Sequence, residues 1–200
     1  FKRAETWKGN GEIDPFRGTD GPLSVSPTRL KRSITEKWLD AAENAGYKRN
    51  PDYNGIDQEG VGYFQLTLDK GRRCSSAVAY LNPAKKRKNL TVITHAQAEK
   101  VLIKKSRAFG VTINQKGQSQ DILARREVIL SAGTIGSPQI LMLSGIGAAT
   151  ELKKHGINII KDLPGVGKNL QDHLQARPVF KTNLSTINTE INNIFKQGLI

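Results

Sequence analysis

The stretch SAGTIGSPQILMLSGIG, Ser131 to Gly147, begins with small residues, passes through one proline and four consecutive apolar residues, and ends in Ser-Gly-Ile-Gly. Small residues let a backbone bend tightly and approach a ligand closely. Ser137 followed by Pro138 predicts a helix start, with serine as cap and proline in the first turn. Ser144-Gly145 predicts where that helix stops. Immediately upstream, EVILSAG predicts a buried strand ending at Ser131, Ala132 and Gly133. A strand that ends in small residues before a helix is how an open α/β sheet presents its carboxyl edge to a ligand, and a helix N-terminus offers N–H groups to phosphate. These residues therefore suit contact with part of a nucleotide. A tight packing turn between strand and helix would use the same residue types.

Outward from this stretch the chain alternates strands and helices. KVLI, AFGVTI and ILARREVIL, separated by polar turns, predict a β-meander between Lys100 and Leu130. NLTVITH before it is β-branched and predicts a further strand. Ser75 to Leu81 predicts a short helix stopped by Pro83. Nearer the start, GPLSVS predicts a short strand. Ser26 as cap and Pro27 in the first turn then predict a helix carrying Leu30, Ile34, Trp38, Ala41, Ala42 and Ala45 on one face, closed by Gly46. Trp38 on that stripe is expected in the core. KRNPDYNGIDQEGVGYFQLT is a long irregular connection. After the stretch come a helix from Ala149 to His155 closed by Gly156, a short strand, a glycine-rich turn and an Asn/Thr-rich segment. The expected class is mixed α/β.

The chain has 200 residues, 31 Lys and Arg against 18 Asp and Glu, and a net charge of +13. Such a balance attracts polyanions, from nucleic acid to an anionic membrane surface. The basic residues are dispersed, however, and the densest run is Lys85 to Lys88, read as a solvated loop. Aromatics make up 6 % and are not interleaved with basic runs, so a nucleic-acid module is not expected. Peripheral membrane association stays compatible with the charge. No apolar run approaches the roughly 18 residues that would span a bilayer. The one cysteine, Cys74, excludes an internal disulfide or a multi-thiolate metal site and fits a reducing, intracellular setting. The chain starts at Phe1 without a signal-peptide pattern and ends, at FKQGLI, inside a helical pattern. The expectation is an internal fragment of a longer protein.

Simple nucleotide motifs fail. Gly60/Gly62, Gly145/Gly147 and Gly165/Gly167 each lack the last glycine of G-x-G-x-x-G, since Gln65, Thr150 and Leu170 stand there. PGVGKN fails as a phosphate-binding loop because Asp162 and Asn169 replace a glycine and a hydroxyl residue. Of the histidines, His155 falls at a helix C-terminus, where partial positive charge is favourable, and His95 ends a strand. His173, beside Asp172, is the one weighed for a site. No pair has metal-ligand spacing.

The composite Ser137-Pro138, Ile140-Leu141 and Ser144-Gly145-Ile146-Gly147 resembles the second signature of the glucose–methanol–choline (GMC) family of FAD-dependent oxidoreductases. FKRAE, GPLSVS, GRRCSSAVAYL, NLTVITHAQAEKVL and DLPGVGKNLQDHL resemble further blocks of choline-dehydrogenase-like members, in the same order. The resemblance implies part of a three-layer FAD-binding domain with a β-meander, plus pieces of an antiparallel-sheet substrate domain. Residues 1–20 would connect, 21–65 and 174–200 would belong to the substrate domain, and 66–173 to the FAD domain. It implies hydride transfer from an alcohol to FAD, with the reduced flavin passing its electrons to oxygen or a quinone. No catalytic residue is expected in these 200, because the family's histidine base should follow Ile200, and the fragment alone is expected to be inactive. Ala98, by its main chain, and Ser131, Ala132 and Gly133 would contact the adenosine side of FAD. Choline-oxidising members tend to place a glutamate two residues after the histidine of QDH. Gln175 stands there, which points to a neutral alcohol rather than choline as substrate. A homologue without catalytic activity would carry the same motifs.

Overall fold

The β-branched and aromatic residues near the start of the chain form short strands. In the computed structural model, which describes residues 2–9 and 15–191, β1 (Glu5–Trp7) runs parallel to β2 (Leu23–Pro27), with Glu5 opposite Leu23 and Trp7 opposite Val25. β3 (Gln65–Leu66) pairs antiparallel with the far end of β2. The Ser24 hydroxyl donates to the Leu68 carbonyl at 2.7 Å. That bond ties β2 to the hairpin of β4 (Leu68–Asp69) and β5 (Arg72–Arg73). These elements belong to the first of two compact units, Phe1–Thr91 with Val179–Ile200; the second is Val92–Pro178.

The expected strand in GPLSVS is β2, but the helix after it starts later than the sequence predicts. Ser26 and Pro27 end β2, where a strand terminus tolerates the missing proline N–H. α1 spans Ser33–Asn44, with Arg32 at its N-cap and Gly46 beyond its end. Its inward face is Thr35, Leu39 and Ala42, and Leu39 is 2 % exposed. Trp38 is 58 % exposed rather than in the core. Once residues 26–32 are not helical, the phase of the stripe is set by Leu39, and Trp38 lies one position, or about 100°, away from it. Next to the inward face, Glu36, Asp40 and Glu43 line up at helical spacing, and Arg49 binds all three. The expected helix after Ser75 continues through Pro83: a π-helical turn at Ala77–Leu81 runs into α2 (Asn82–Ala84), where proline occupies the first turn and needs no N–H partner.

A three-stranded meander is present, but its last strand covers 118–123, taking in part of the expected turn QKGQSQ and sharing only Ile122 and Leu123 with the expected strand ILARREVIL, whose residues 124–130 form no strand. β6 (Ala96–Lys104), β7 (Arg107–Gln115) and β8 (Gln118–Leu123) form an antiparallel sheet in that order. α3 (Gly133–Leu143) packs against β6, and Ile140 of the helix is buried, as are Val101 and Ile113 of the sheet. Each such aliphatic side chain contributes about 1.5–3 kcal/mol when fully buried. Beyond α3, β9 (Ile146–Gly147) pairs in parallel with β10 (Lys161–Asp162) around α4 (Ala149–Lys154), whose Leu152 is 2 % exposed. His155 caps α4 and Gly156 follows with positive φ, as expected.

Three further expectations are corrected in this unit. NLTVITH forms no strand, and the sheet starts at Ala96, just after His95 turns the chain at φ +55°. EVILSAG is not a buried ladder strand either; it carries no strand pairing, and Ile129 is 75 % exposed. Among the described residues nothing pairs with either segment, so β-branched composition has no ladder to enter. Finally, α3 begins at Gly133, and Pro138 lies inside it. A last short helix, α5, spans Ile187–Ile191. The helical pattern of FKQGLI lies outside the described residues.

Candidate functional site

The C-terminal end of α3 is pinned to the sheet by one side chain. Ser144 Oγ accepts the Val101 N–H at 2.7 Å and donates to the Ile140 carbonyl at 2.5 Å. Gly145 then closes the helix at φ +82°, and a side chain there would begin 2.4 Å from the Asn158 carbonyl oxygen, so only glycine fits. This junction fixes the direction in which the opposite, N-terminal end of α3 points.

At that N-terminal end lie Ser131, Ala132 and Gly133, all exposed. Gly133 adopts φ +78°, a left-handed conformation that glycine reaches without a Cβ penalty. A side chain at this position would meet no atom within 4 Å, so the space over the turn is open. Ser137, expected to cap a helix at Pro138, instead reaches back and accepts the Ala132 N–H at 3.1 Å. The following N–H groups have no intrahelical partner, as in the first turn of any helix. Ile135 beside them is 74 % exposed. The bend is thus bare, with first-turn amides that lack an intrahelical partner and an exposed apolar side chain next to it.

Ala98 sits in β6 opposite Ile113, immediately before a register shift between Ala98 and Lys100. Bulges of this kind re-aim side chains and often flank sites. The residue placed in the bulge is Glu99, whose carboxylate accepts Asn114 Nδ2 at 3.2 Å and Ser119 Oγ at 3.0 Å. Sequence reasoning missed Glu99; alternation breaks there, but a bulge has no composition of its own. The structure records no bond joining Ala98 to the Ser131–Gly133 bend. Gln175 is exposed, and its Oε1 accepts both Nε and Nη2 of Arg177, at 3.0 and 2.7 Å. A guanidinium is therefore held against the amide that stands in place of a carboxylate. The His173 N–H donates to Asp172. Among the described residues no group of three or more His, Cys, Asp or Glu could hold a metal ion.

An apolar cavity of about 430 Å³ lies in the same unit, walled by Val101, Ile103, Val128, Leu130, Leu141 and Ile160 among others. None of the expected site residues lines it.

In the first unit the structure assembles a cluster that the sequence did not announce. Arg17, 4 % exposed, donates Nε and Nη2 to Asp52 at 2.8 and 2.5 Å and contacts Glu5 at 3.3 Å. It also donates to Gln65 Oε1, and its guanidinium lies 4.4 Å from the Trp7 ring centre. Burial pushes the Asp52 carboxyl up, but the hydrogen bonds from Arg17, Gln65 and the Asn54 amide outweigh it and hold it below the usual carboxylate range. The same opposition acts on Arg17: burial lowers it, and Asp52 and Glu5 leave it raised. The cluster ties the first strand, the Asp52 loop and β3 together, so its role is to hold this unit in shape. Its members are spread over 60 residues, beyond the reach of local pattern reading.

The GMC oxidoreductase family model matches residues 1–175. The chain is 45 % identical to the oxygen-dependent choline dehydrogenase of Photobacterium profundum over its whole length, covering 35 % of that protein. It is 48 % identical to the mitochondrial choline dehydrogenase of Homo sapiens, over 80 % of this chain and 27 % of that one. The fold superposes on an FAD-dependent oxidoreductase from Chaetomium thermophilum with a TM-score of 0.80 at 28 % identity, covering 86 % of this chain and 32 % of that one. The chain thus spans about a third of the length of the proteins it matches.

Proposed function

The chain belongs to the GMC oxidoreductase family, and from that premise we propose that it is part of a flavin-dependent alcohol oxidoreductase yielding an aldehyde or ketone. The observation that carries this reading is the Ser131–Gly133 bend at the head of α3, open above Gly133 and followed by first-turn amides that lack an intrahelical partner. These residues would hold the adenosine side of FAD, with Ala98 contributing main-chain contact beside its bulge. When bound, FAD supplies the hydride acceptor. Residues 66–173 would form the FAD-domain part, 21–65 and 174–200 the substrate-domain parts, and 1–20 the connection. The electron acceptor would be oxygen or a quinone. The net charge of +13 would also suit peripheral contact with an anionic membrane surface, which sedimentation with anionic vesicles tests.

The flavin reading predicts that the full-length protein purifies yellow with stoichiometric FAD. A colourless, folded protein that takes up no FAD on titration would overturn it.

For the substrate we favour a neutral alcohol. Gln175 offers no charge to a quaternary ammonium, and Arg177, bonded to it, adds a repelling cation. In the full-length enzyme, kcat/KM for a neutral primary alcohol is expected to exceed that for choline, and Gln175→Glu should raise the choline value. A wild-type preference for choline would refute this assignment and leave the flavin reading standing.

A further inference from the structure

We propose that Glu99 is a positioning residue for the adenosine side of the cofactor: its carboxylate locks the bulge in β6 and so fixes the direction in which the Ala98 main chain meets the adenine ring. This role rests on the flavin reading. The bulge is the point at which β6 is least supported by its ladder. Ala98 pairs with Ile113 and Lys100 with Thr112, so Glu99 between them has no register partner. An extra residue of this kind interrupts the ladder and lets the strand bend.

The Glu99 side chain takes over what the ladder lacks here. One carboxylate oxygen accepts Asn114 Nδ2 of β7 at 3.2 Å, and the other accepts Ser119 Oγ of β8 at 3.0 Å. Asn114 is fixed in turn, because its Oδ1 accepts the Gly117 N–H of the β7–β8 turn at 3.1 Å. The strap thus reaches from β6 to both other strands of the sheet. The neighbouring cross-strand bond, from Thr112 to Asp121, joins two register partners and holds no bulge. Ala98 directly precedes the strapped residue. β6 is an edge strand, and the Ala98 carbonyl accepts Gln97 Nε2 at 3.3 Å, a donor from outside the ladder. A carbonyl that a side-chain amide reaches from outside is also open to a ligand N–H, and the N–H donor on the adenine ring of FAD is its amino group. Hydrogen bonds weaken steeply as they bend, so a small rotation of the bulge would forfeit that contact.

The test strips flavin from the full-length protein and titrates it with FAD and with an etheno-adenine analogue of FAD, whose extra ring removes the amino donor. Glu99→Ala should raise Kd for FAD about fivefold, the share of one hydrogen bond, and leave Kd for the analogue unchanged. Glu99→Gln still accepts from Asn114 and can donate to the Ser119 hydroxyl, so it should bind FAD as the parent does. Ser119→Ala removes half of the strap at an exposed position. It should show the same selectivity at smaller size, and it carries the test if Glu99→Ala fails to fold. An equal loss for both ligands would mean that the carboxylate only stabilises the sheet, and it overturns the proposal. Unchanged FAD affinity in the Glu99→Ala and Ser119→Ala variants, or a loss in Glu99→Gln as large as in Glu99→Ala, overturns it too; in each of these cases FAD uptake by the parent leaves the flavin reading standing. A parent protein that takes up no FAD refutes the flavin reading and this role together.

Discussion

Replacing Ser144 by alanine isolates the contact on which the geometry of α3 depends. The Ser144 side chain is buried, accepts the Val101 N–H at 2.7 Å and donates to the Ile140 carbonyl at 2.5 Å. The two partners do not lose equally. The Ile140 carbonyl keeps the Ser144 N–H at 3.0 Å, so it stays satisfied. The Val101 N–H loses its acceptor in a strand residue that is 7 % exposed. An orphaned buried donor costs about 1–3 kcal/mol, and removing a single hydroxyl leaves too little space for water to replace it. The expected loss is therefore about 2 kcal/mol, read as a lower urea midpoint at unchanged slope. The Gly133 bend lies at the other end of the helix, about 15 Å away at 1.5 Å per residue, so FAD retention should fall only as far as the folded fraction does. A loss below about 0.5 kcal/mol, within the range of ordinary surface changes, would show that the hydroxyl does not carry the contact. A Ser144→Thr variant that keeps the hydroxyl should retain part of the bond and lose less.

Gly133→Ala should cost about 1–2 kcal/mol of stability from the left-handed backbone alone, since nothing nearby would clash; release of bound flavin on mild dilution, followed by fluorescence, should be faster than in the parent. Arg17→Ala removes the partner of two carboxylates, one of them buried, and should destabilise the first unit by about 3–5 kcal/mol, measured by thermal unfolding. The acid side of the stability curve tests Asp52. Its folded pKa is depressed, so the stability it contributes is present above the unfolded value near 3.9 and is lost as pH falls through the folded value. Asp52→Asn should flatten that part of the urea-midpoint profile and leave the slope above pH 5 unchanged.

Local chemistry made much of the fold legible. Ser144-Gly145 and Gly156 stop their helices because left-handed glycines close helix ends, and Lys116-Gly117 turns the meander for a similar backbone reason. Family blocks led to the bend at Ser131–Gly133, which spacing alone could not distinguish from a packing turn. Long-range features were not legible. Arg17 finds Glu5, Asp52 and Gln65 across separations of 12, 35 and 48 residues. Ser26-Pro27 has the composition of a helix start, yet pairing with β3 recruits it into β2. The energy of that strand pair comes from partners 38 and 40 residues away, which no local window contains.

The fate of Glu127–Leu130 shows what a β-pattern in sequence means physically. Val128 and Leu130 line the apolar cavity together with Val101 and Leu141, while Ile129 between them is 75 % exposed. That is the period-two alternation of a strand, realised in side-chain placement without a hydrogen-bonded ladder. Two separate forces are therefore at work. Burial of alternate side chains needs only an apolar wall, which β6 and α3 provide. Ladder formation needs a neighbouring backbone, and among the described residues none lies alongside. The pattern dictates the first and is silent on the second, which is why the direction of this segment into the Ser131–Gly133 bend survives although its classification as a strand does not. A polar change at Leu130, such as Leu130→Asn, should accordingly destabilise the second unit by about 2 kcal/mol through lost burial, whereas Ile129→Asn should cost little. Equal costs at the two positions would show that the alternation is not what anchors the bend.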